Sequence, residues 1–559
     1  MSFWGELRRR NVVKVAVAYA GVAWLLALSF VLFTSKVYAQ EGPLRGLDQY
    51  IHKSMTDWQV PGLAIVVVKD NQIVFMKGYG VREAGKDARV DEQTIFWLAS
   101  ATKPFTAATV AMLVDEGKLS WDDPVIKHLP WLQLRDPWVT REVTLRDLLA
   151  HRLGHELGPN EWVFEYYACG VTKDEILRRL QYLDPGPRRF RGGLAYTDLN
   201  YLLAGEVVAA VSGMSWAEFL QSHLLQPLGM TSATTNDLDL WDVKDLRPCP
   251  SSDLPHHTVG IEQALVANIV MPHEPTDDGP RPTPWHTYPR VDAAGSISAS
   301  VEDVAKWLRL QLGQGVFEGK RLLSAAVADE MHMGQALFRG PPSLFPVLPD
   351  ESAHFWEYGL GWFLTDYRGR KLVFHWGSSS AFTALVPEEN LGIAVLTNLP
   401  RITWLSPVNV NLNNLPSALV LRILDIYLGG SERDWSSELL ARVEADSDPF
   451  KLQDRIRVLG TKPSAPLRHY VGTYTHPAFG EVTVTEDSGA LVFHFPPYTT
   501  GDLAHWHYDV FQVNWKVRVP SAFLTFRLDL AGEVDALSID EVGMFTRMRH
   551  ASNADPEPR

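Results

Sequence analysis

Ile95-Phe96-Trp97-Leu98-Ala99-Ser100-Ala101-Thr102-Lys103-Pro104-Phe105-Thr106-Ala107-Ala108 is the stretch from which the fold can be read. Five apolar residues lead into a serine, a lysine follows three positions later, and a proline then stands where the first turn of a helix accepts one. Helical periodicity runs on from Lys103 to Glu116, and Gly117 supplies the stop. The three-residue spacing places hydroxyl and amine on one face of a helix, one turn apart. That pairing suits acyl transfer. A serine hydroxyl is a weak nucleophile near neutral pH and needs an adjacent base, which a lysine becomes when desolvation or neighbouring cations lower its pKa. A helix N-terminus aimed at the reacting carbonyl would also stabilise developing negative charge. The chain holds no second Ser-x-x-Lys. The same spacing is nevertheless met by an ordinary helix start, with Ser100 near the cap and Lys103 in solvent.

Working outward, Leu44 to Lys53 suits a helix, and Gly62 to Val68 with Ile73 to Met76 reads as a two-stranded hairpin. Helical patterns return at Tyr201 to Val211 and Val301 to Leu312, stopped by Gly213 and Gly313. Strand patterns follow at Gly361 to Asp366, Leu372 to His375, Phe382 to Val386 and Gly392 to Asn398, then a helix from Leu415 to Leu428. Strands at both ends with helices between them predict one α/β domain over 41–430, with an antiparallel sheet, flanking helices and a helical insertion. Residues 431–465 read as a helix plus connector. Beyond Pro466 short alternating strands such as Glu481 to Val484, Leu491 to Phe495 and Phe523 to Phe526 predict a separate small β-domain over 466–559.

The run Phe105-Thr106-Ala107-Ala108, then Met112-Leu113-Val114-Asp115-Glu116-Gly117-Lys118-Leu119 and Asp122-Asp123-Pro124-Val125, resembles the serine β-lactamase-like and penicillin-binding protein superfamily, in its class C β-lactamase and esterase branch. The fold this implies is the β-lactamase/transpeptidase-like α/β fold. The family's second motif, Tyr-x-Asn, is met by Tyr196-Thr197-Asp198. By this resemblance Tyr196 takes the proton from Ser100 and returns it to the leaving group, its phenol pKa lowered by Lys103 and a second cationic group. Asp198 departs from the usual Asn: it accepts a hydrogen bond from Lys103 but donates none unless protonated, which alters recognition of a substrate amide. The third motif, Lys-Thr-Gly or His-x-Gly, is met by His375-Trp376-Gly377. The resemblance implies that His375 supplies a donor or positive charge, that Gly377 lets substrate lie against the strand, and that the Ser378 and Ser100 amides form the oxyanion hole. Ser378-Ser379-Ser380 replaces the family's glycines, which narrows the pocket wall. Pro227 to Met230, Tyr358 to Trp362 and Val395 to Asn398 also look like the family. Tyr470 to Tyr474 and His505 to Phe511 resemble its appended lipocalin-like barrel, a shape that can hold a ligand, cover a site or join subunits.

The first forty residues form a unit of their own. Arg8-Arg9-Arg10 precedes Val15 to Thr34, twenty residues without a charge, long enough to span a bilayer with its N-terminus inside. Val37-Tyr38-Ala39 also fits a cleavage site, so residues 1–40 read either as a membrane anchor or as a signal peptide. Both place the bulk of the chain outside the cytoplasm, facing a periplasm or the exterior. The net charge of −14 argues against nucleic acid as a partner. Cys169 and Cys249 match no metal spacing and make at most one bridge. The pairs His151/His155, His256/His257 and His505/His507 lack the Glu of a zinc-protease helix and read as ordinary histidines. No metal or cofactor is expected. The partners expected are a small-molecule or peptide substrate, cell-wall fragments among the candidates, and the membrane. The sequence thus predicts an extracytoplasmic serine hydrolase acting on an ester or amide. A membrane-anchored sensor or binding protein that keeps the fold without catalysis is the other reading, favoured by Asp198 and the serine run.

Overall fold

A computed structural model describes residues 42–154, 172–183, 189–236, 240, 258–259, 268–276, 278–283, 285–286, 292–337, 353–379, 381–400, 413–446, 457–495, 499–515, 522–539 and 542–548. The N-terminal span, Cys169, Cys249, His155, His256, His257 and Ser380 lie outside the described residues. No single described helix is long and apolar enough to cross a membrane.

The chain opens with α1 (Leu47–Asp57) and the hairpin β1 (Gly62–Lys69) and β2 (Gln72–Gly80). A short strand β3 (Ile95–Trp97) leads through a 3₁₀ turn at Ala99–Thr102 into α2 (Lys103–Asp115). The helical insertion includes α3 (Leu145–Leu149), α4 (Lys173–Arg179) and α5 (Asp198–Ser212), the last ended by Gly213 in the left-handed conformation at φ 73°. Then come β4 (Ser298–Ser300), which pairs with β3, and the helices α6 (Val301–Leu312) and α7 (Ala325–Met331). The meander β5 (Ala336–Leu337), β6 (Trp356–Tyr358), β7 (Phe363–Tyr367), β8 (Arg370–Trp376), β9 (Phe382–Val386) and β10 (Leu391–Thr397) follows, then α8 (Leu415–Leu428) and α9 (Trp435–Asp446).

The sheet is antiparallel throughout, in the order β5-β6-β7-β8-β9-β10-β1-β2, and the N-terminal hairpin joins it by pairing Leu63 with Thr397 and Lys69 with Leu391. Both faces are covered, so β1 and β10 are apolar along their length rather than alternating. Ala64, Val66, Val373, Leu385 and Ala394 face a core built with α2, α5 and α6. Leu63, Ile65, Phe374, Ala384 and Ile393 face α1, α8 and α9. Burying each of the larger of these side chains, from valine to phenylalanine, contributes roughly 1.5–3 kcal/mol. Helix α9, inside the stretch read as a helix plus connector, is held to this second layer. Trp435 is buried and its Nε1 donates to Asp425 at 2.7 Å, while Trp58 Nε1 donates to Ser436 at 3.0 Å.

The C-terminal part is a closed antiparallel barrel of eight strands in sequence order, β11 (Gly472–His476), β12 (Gly480–Asp487), β13 (Ala490–Phe495), β14 (Thr499–His507), β15 (Val510–Trp515), β16 (Ala522–Leu528), β17 (Val534–Ile539) and β18 (Gly543–Arg547), with β18 returning to β11. Closure leaves no open edge. Alternating residues turn inward and fill the interior: Tyr474, Val482, Val484, Phe493, Phe511, Phe526, Leu537 and Phe545 are all buried.

Candidate active site

Ser100 sits in the 3₁₀ turn between β3 and α2, and in such a turn residues i and i+3 eclipse one another. Lys103 is therefore directly beside it, and Nζ donates to Ser100 Oγ at 3.0 Å. Ala99, just before the nucleophile, takes a left-handed φ of 47°, a strained conformation for a residue with a Cβ. Lys103 is fully buried. Besides Ser100 it donates to the Asp198 carboxylate and, at 3.1 Å, to the Ala294 carbonyl. Its Nζ thus sits between the buried Asp198 carboxylate, a backbone carbonyl and the hydroxyl of the nucleophile, a set of partners that fixes its position beside Ser100.

Tyr196 lies on the segment entering α5, half-buried, with Lys103 Nζ 4.9 Å from its ring centre. Its position is set by a residue the sequence reading passed over. His151 is completely buried with a left-handed φ of 52°; its carbonyl accepts from Ala195 N at 2.8 Å and its Nδ1 accepts from Thr197 N at 3.2 Å. The Tyr196 backbone is thereby gripped on both sides, and the rings of His151 and Tyr196 lie 4.2 Å apart. Because Nδ1 accepts, the neutral ring carries its proton on Nε2. Burial, and after it the charge of Lys103, holds His151 well below the usual imidazole range.

His375 stands next to the end of β8 in the same cluster, its ring 6.3 Å from that of Tyr196. The expectation that it supplies a donor or a positive charge is not what the geometry shows. The imidazole is fully buried, and Nδ1 lies 2.8 Å from the Trp376 carbonyl, which can only accept. The proton is therefore on Nδ1, and Nε2 accepts from the Tyr358 hydroxyl at 3.1 Å. Burial first, then Lys103, pushes its pKa well below 6.5, while the bond to Trp376 opposes that shift only in part. His375 is a neutral acceptor for Tyr358, whose phenol burial pushes well above its usual value. The cluster therefore also contains Tyr358, on β6, and Tyr201, on α5, whose hydroxyl donates to the Leu149 carbonyl at 2.7 Å.

Gly377 follows β8, and a Cβ there would stand 2.1 Å from the Leu98 carbonyl oxygen and 3.0 Å from Ala99 Cβ. The glycine lets the strand end abut the nucleophile turn itself, a closer demand than room for substrate. Ser378 continues this turn, closed by Gly377 N donating to Ala381 O at 2.8 Å. The Ser100 amide lies in the first turn of its helix, where N–H groups lack intrahelical acceptors. Ser379 is nearly buried, and its hydroxyl has no partner among the described residues. The structure brings Ser100, Lys103, Tyr196, Asp198, His375 and Gly377 into one cluster, with Ser378 on the adjoining turn. Among the described residues no group of three or more His, Cys, Asp or Glu is arranged to hold a metal ion.

The chain is 26% identical to the Unguisins hydrolase ungD of Aspergillus violaceofuscus, over 80% of this chain and 77% of that one. It is 24% identical to Protein flp of Staphylococcus aureus, over 63% of this chain and 62% of the relative. In fold it is similar to the octameric penicillin-binding protein homologue from Pyrococcus abyssi, with TM-score 0.52, 23% identity and coverage of 90% and 100%. It is likewise similar to EstCE1, described as a hydrolase with promiscuous acyltransferase activity, with TM-score 0.53, 16% identity and coverage of 70% and 100%. Residues 457–553, which contain the barrel, match a domain of unknown function, DUF3471. The Beta-lactamase family model matches residues 47–403, a span that holds Ser100, Lys103, Tyr196 and His375 together, and the chain belongs to that family, as a serine hydrolase.

Proposed function

We propose that the chain hydrolyses an ester or amide through an acyl-enzyme formed on Ser100, acting as an esterase or as a peptidase on small or D-amino-acid-containing substrates. The observation that carries this reading is the Lys103 ammonium 3.0 Å from Ser100 Oγ, with Tyr196 alongside. Held as a cation by Asp198 and Ala294, Lys103 fixes the hydroxyl and lowers the cost of a phenolate at Tyr196, which is left as the base. Tyr196 takes the Ser100 proton as the oxygen attacks the carbonyl and returns it to the leaving group; water then repeats the cycle on the acyl-enzyme. The amides of Ser100 and Ser378 would hold the oxyanion. The basic N-terminus followed by an uncharged stretch supports an extracytoplasmic location, anchored or secreted. A fluorescent fluorophosphonate should label the purified chain covalently and fail to label Ser100→Ala. Folded native protein that takes no label at any time would instead favour a binding protein without catalysis.

A further inference from the structure

The family's common third-motif lysine is absent here, and the charges that do reach the cluster cancel. The Lys103 ammonium is matched by the Asp198 carboxylate, both buried. His151 and His375 are fully buried neutral rings, one with its proton on Nε2 and one on Nδ1. Tyr201 and Tyr358 are phenols, and the phenolate that the proposed mechanism forms at Tyr196 adds only negative charge. The cations on surrounding elements are turned elsewhere. Arg152 and Arg191, which flank the Tyr196 segment, both bind the buried carboxylate of Asp147, at 2.6 and 2.7 Å. Lys173 on α4 pairs with Glu206 at 2.7 Å and Asp292 at 3.3 Å. Arg152, Arg191 and Lys173 are thus each paired with a carboxylate.

A substrate carboxylate brought into such a place would lose hydration and gain no countercharge, a penalty that an uncharged group avoids. Ser379, with its buried and unpartnered hydroxyl on the turn beside Gly377, offers instead a neutral donor or acceptor. The geometry points to an acyl cleft selective for substrates uncharged around the scissile bond, with Asp198 as the specificity-determining residue because it cancels the Lys103 charge. An Asn at this position would leave that ammonium unbalanced and the cleft cationic. The assignment rests on the acyl-hydrolase reading above and narrows its substrate class to neutral esters and amides, against those carrying a carboxylate next to the bond cleaved.

The test uses the full chain and two nitrophenyl esters of equal acyl length, the butyrate and the anionic hemisuccinate, each rate normalised to hydroxide-catalysed hydrolysis. The native protein should prefer the butyrate by about tenfold or more in kcat/KM, the scale set by one unbalanced charge at several ångströms in an effective dielectric near 20. Asp198→Asn should shrink that preference by about tenfold, mainly through a lower KM for the hemisuccinate, a change that simple loss of packing would not produce. Equal use of the two esters by the native protein, or a hemisuccinate rate that falls steeply with added salt, would overturn the assignment even if Asp198→Asn does not fold. An unchanged preference in a folded Asp198→Asn variant would remove Asp198 from it. Absence of Ser100-dependent turnover with both esters counts against the acyl chemistry itself and takes the specificity with it.

Discussion

Tyr196 is the residue on which the proposed proton transfer turns, because the other basic candidates are already committed. Lys103 is paired with the Asp198 carboxylate and bonded to Ala294, and the histidine nitrogens are taken by Thr197, Trp376 and Tyr358 or buried without a partner among the described residues. Tyr196→Phe should lower kcat for a nitrophenyl ester by about a hundredfold or more, the usual contribution of a positioned base, while leaving fluorophosphonate labelling slow but detectable. A rate equal to the native one in steady-state assays would dismiss Tyr196 from the mechanism. At this scale the sequence was legible where chemistry is local. Ser100 and Lys103 are three residues apart, and any helical turn brings them together. The protonation of His375 was not legible, because it depends on a carbonyl and a phenol supplied by the fold. His151 was read as an ordinary histidine for the same reason: its grip on Ala195 and Thr197 spans more than forty residues of chain.

At the scale of elements, the decisive contact is between the end of β8 and the turn that presents Ser100. Gly377 allows the two backbones to meet where any Cβ would collide with the Leu98 carbonyl. Gly377→Ala should therefore push the strand end and the nucleophile turn apart and cut kcat/KM by about a hundredfold, the cost of an ångström-scale misplacement of catalytic groups. Thermal melts run beside the kinetics separate this from global loss of stability, and an active Gly377→Ala would show that the approach is not needed. The elements themselves were largely readable from periodicity. Val301–Leu312, Phe382–Val386 and Leu415–Leu428 fall where the pattern placed them, and α5 begins three residues earlier than its apolar periodicity, at Asp198. Its first turn is polar because Asp198 serves Lys103 there, and hydrophobic patterning does not register a residue kept for an ion pair.

Across the whole molecule the buried histidines govern the response to acid. His332, at the C-terminal end of α7 and bonded to Gln311 at 3.1 Å, is pushed down to about 3 by burial and by Lys371, and His151 and His375 are also held well below their ordinary range. An unfolded chain protonates its histidines near 6.5, whereas the folded one resists, so the stability these rings contribute is complete above that value. It is lost as pH falls toward the folded pKa. Each such ring removes roughly 1.4 kcal/mol per pH unit within that window. The unfolding temperature should accordingly drop steeply between pH 6 and pH 4, and His332→Gln should flatten the slope. A melting temperature constant over that range would contradict neutral burial of these rings.

The two-part architecture and the family follow from the chain alone, because local periodicity, glycine stops and three short motifs are properties of neighbouring residues. Only the tertiary structure decided the electrostatics of the cluster: that Lys103 meets the Asp198 carboxylate, and which nitrogen of each imidazole holds the proton. Those states depend on burial and on acceptors drawn from distant segments, Ala294, Trp376 and Tyr358 among them, and no spacing along a sequence records them. The barrel interior is a similar case. Its alternating strands predict a small β-domain and the family resemblance implies a barrel, but that aromatic rings fill the inside emerges only once the eighth strand has paired with the first.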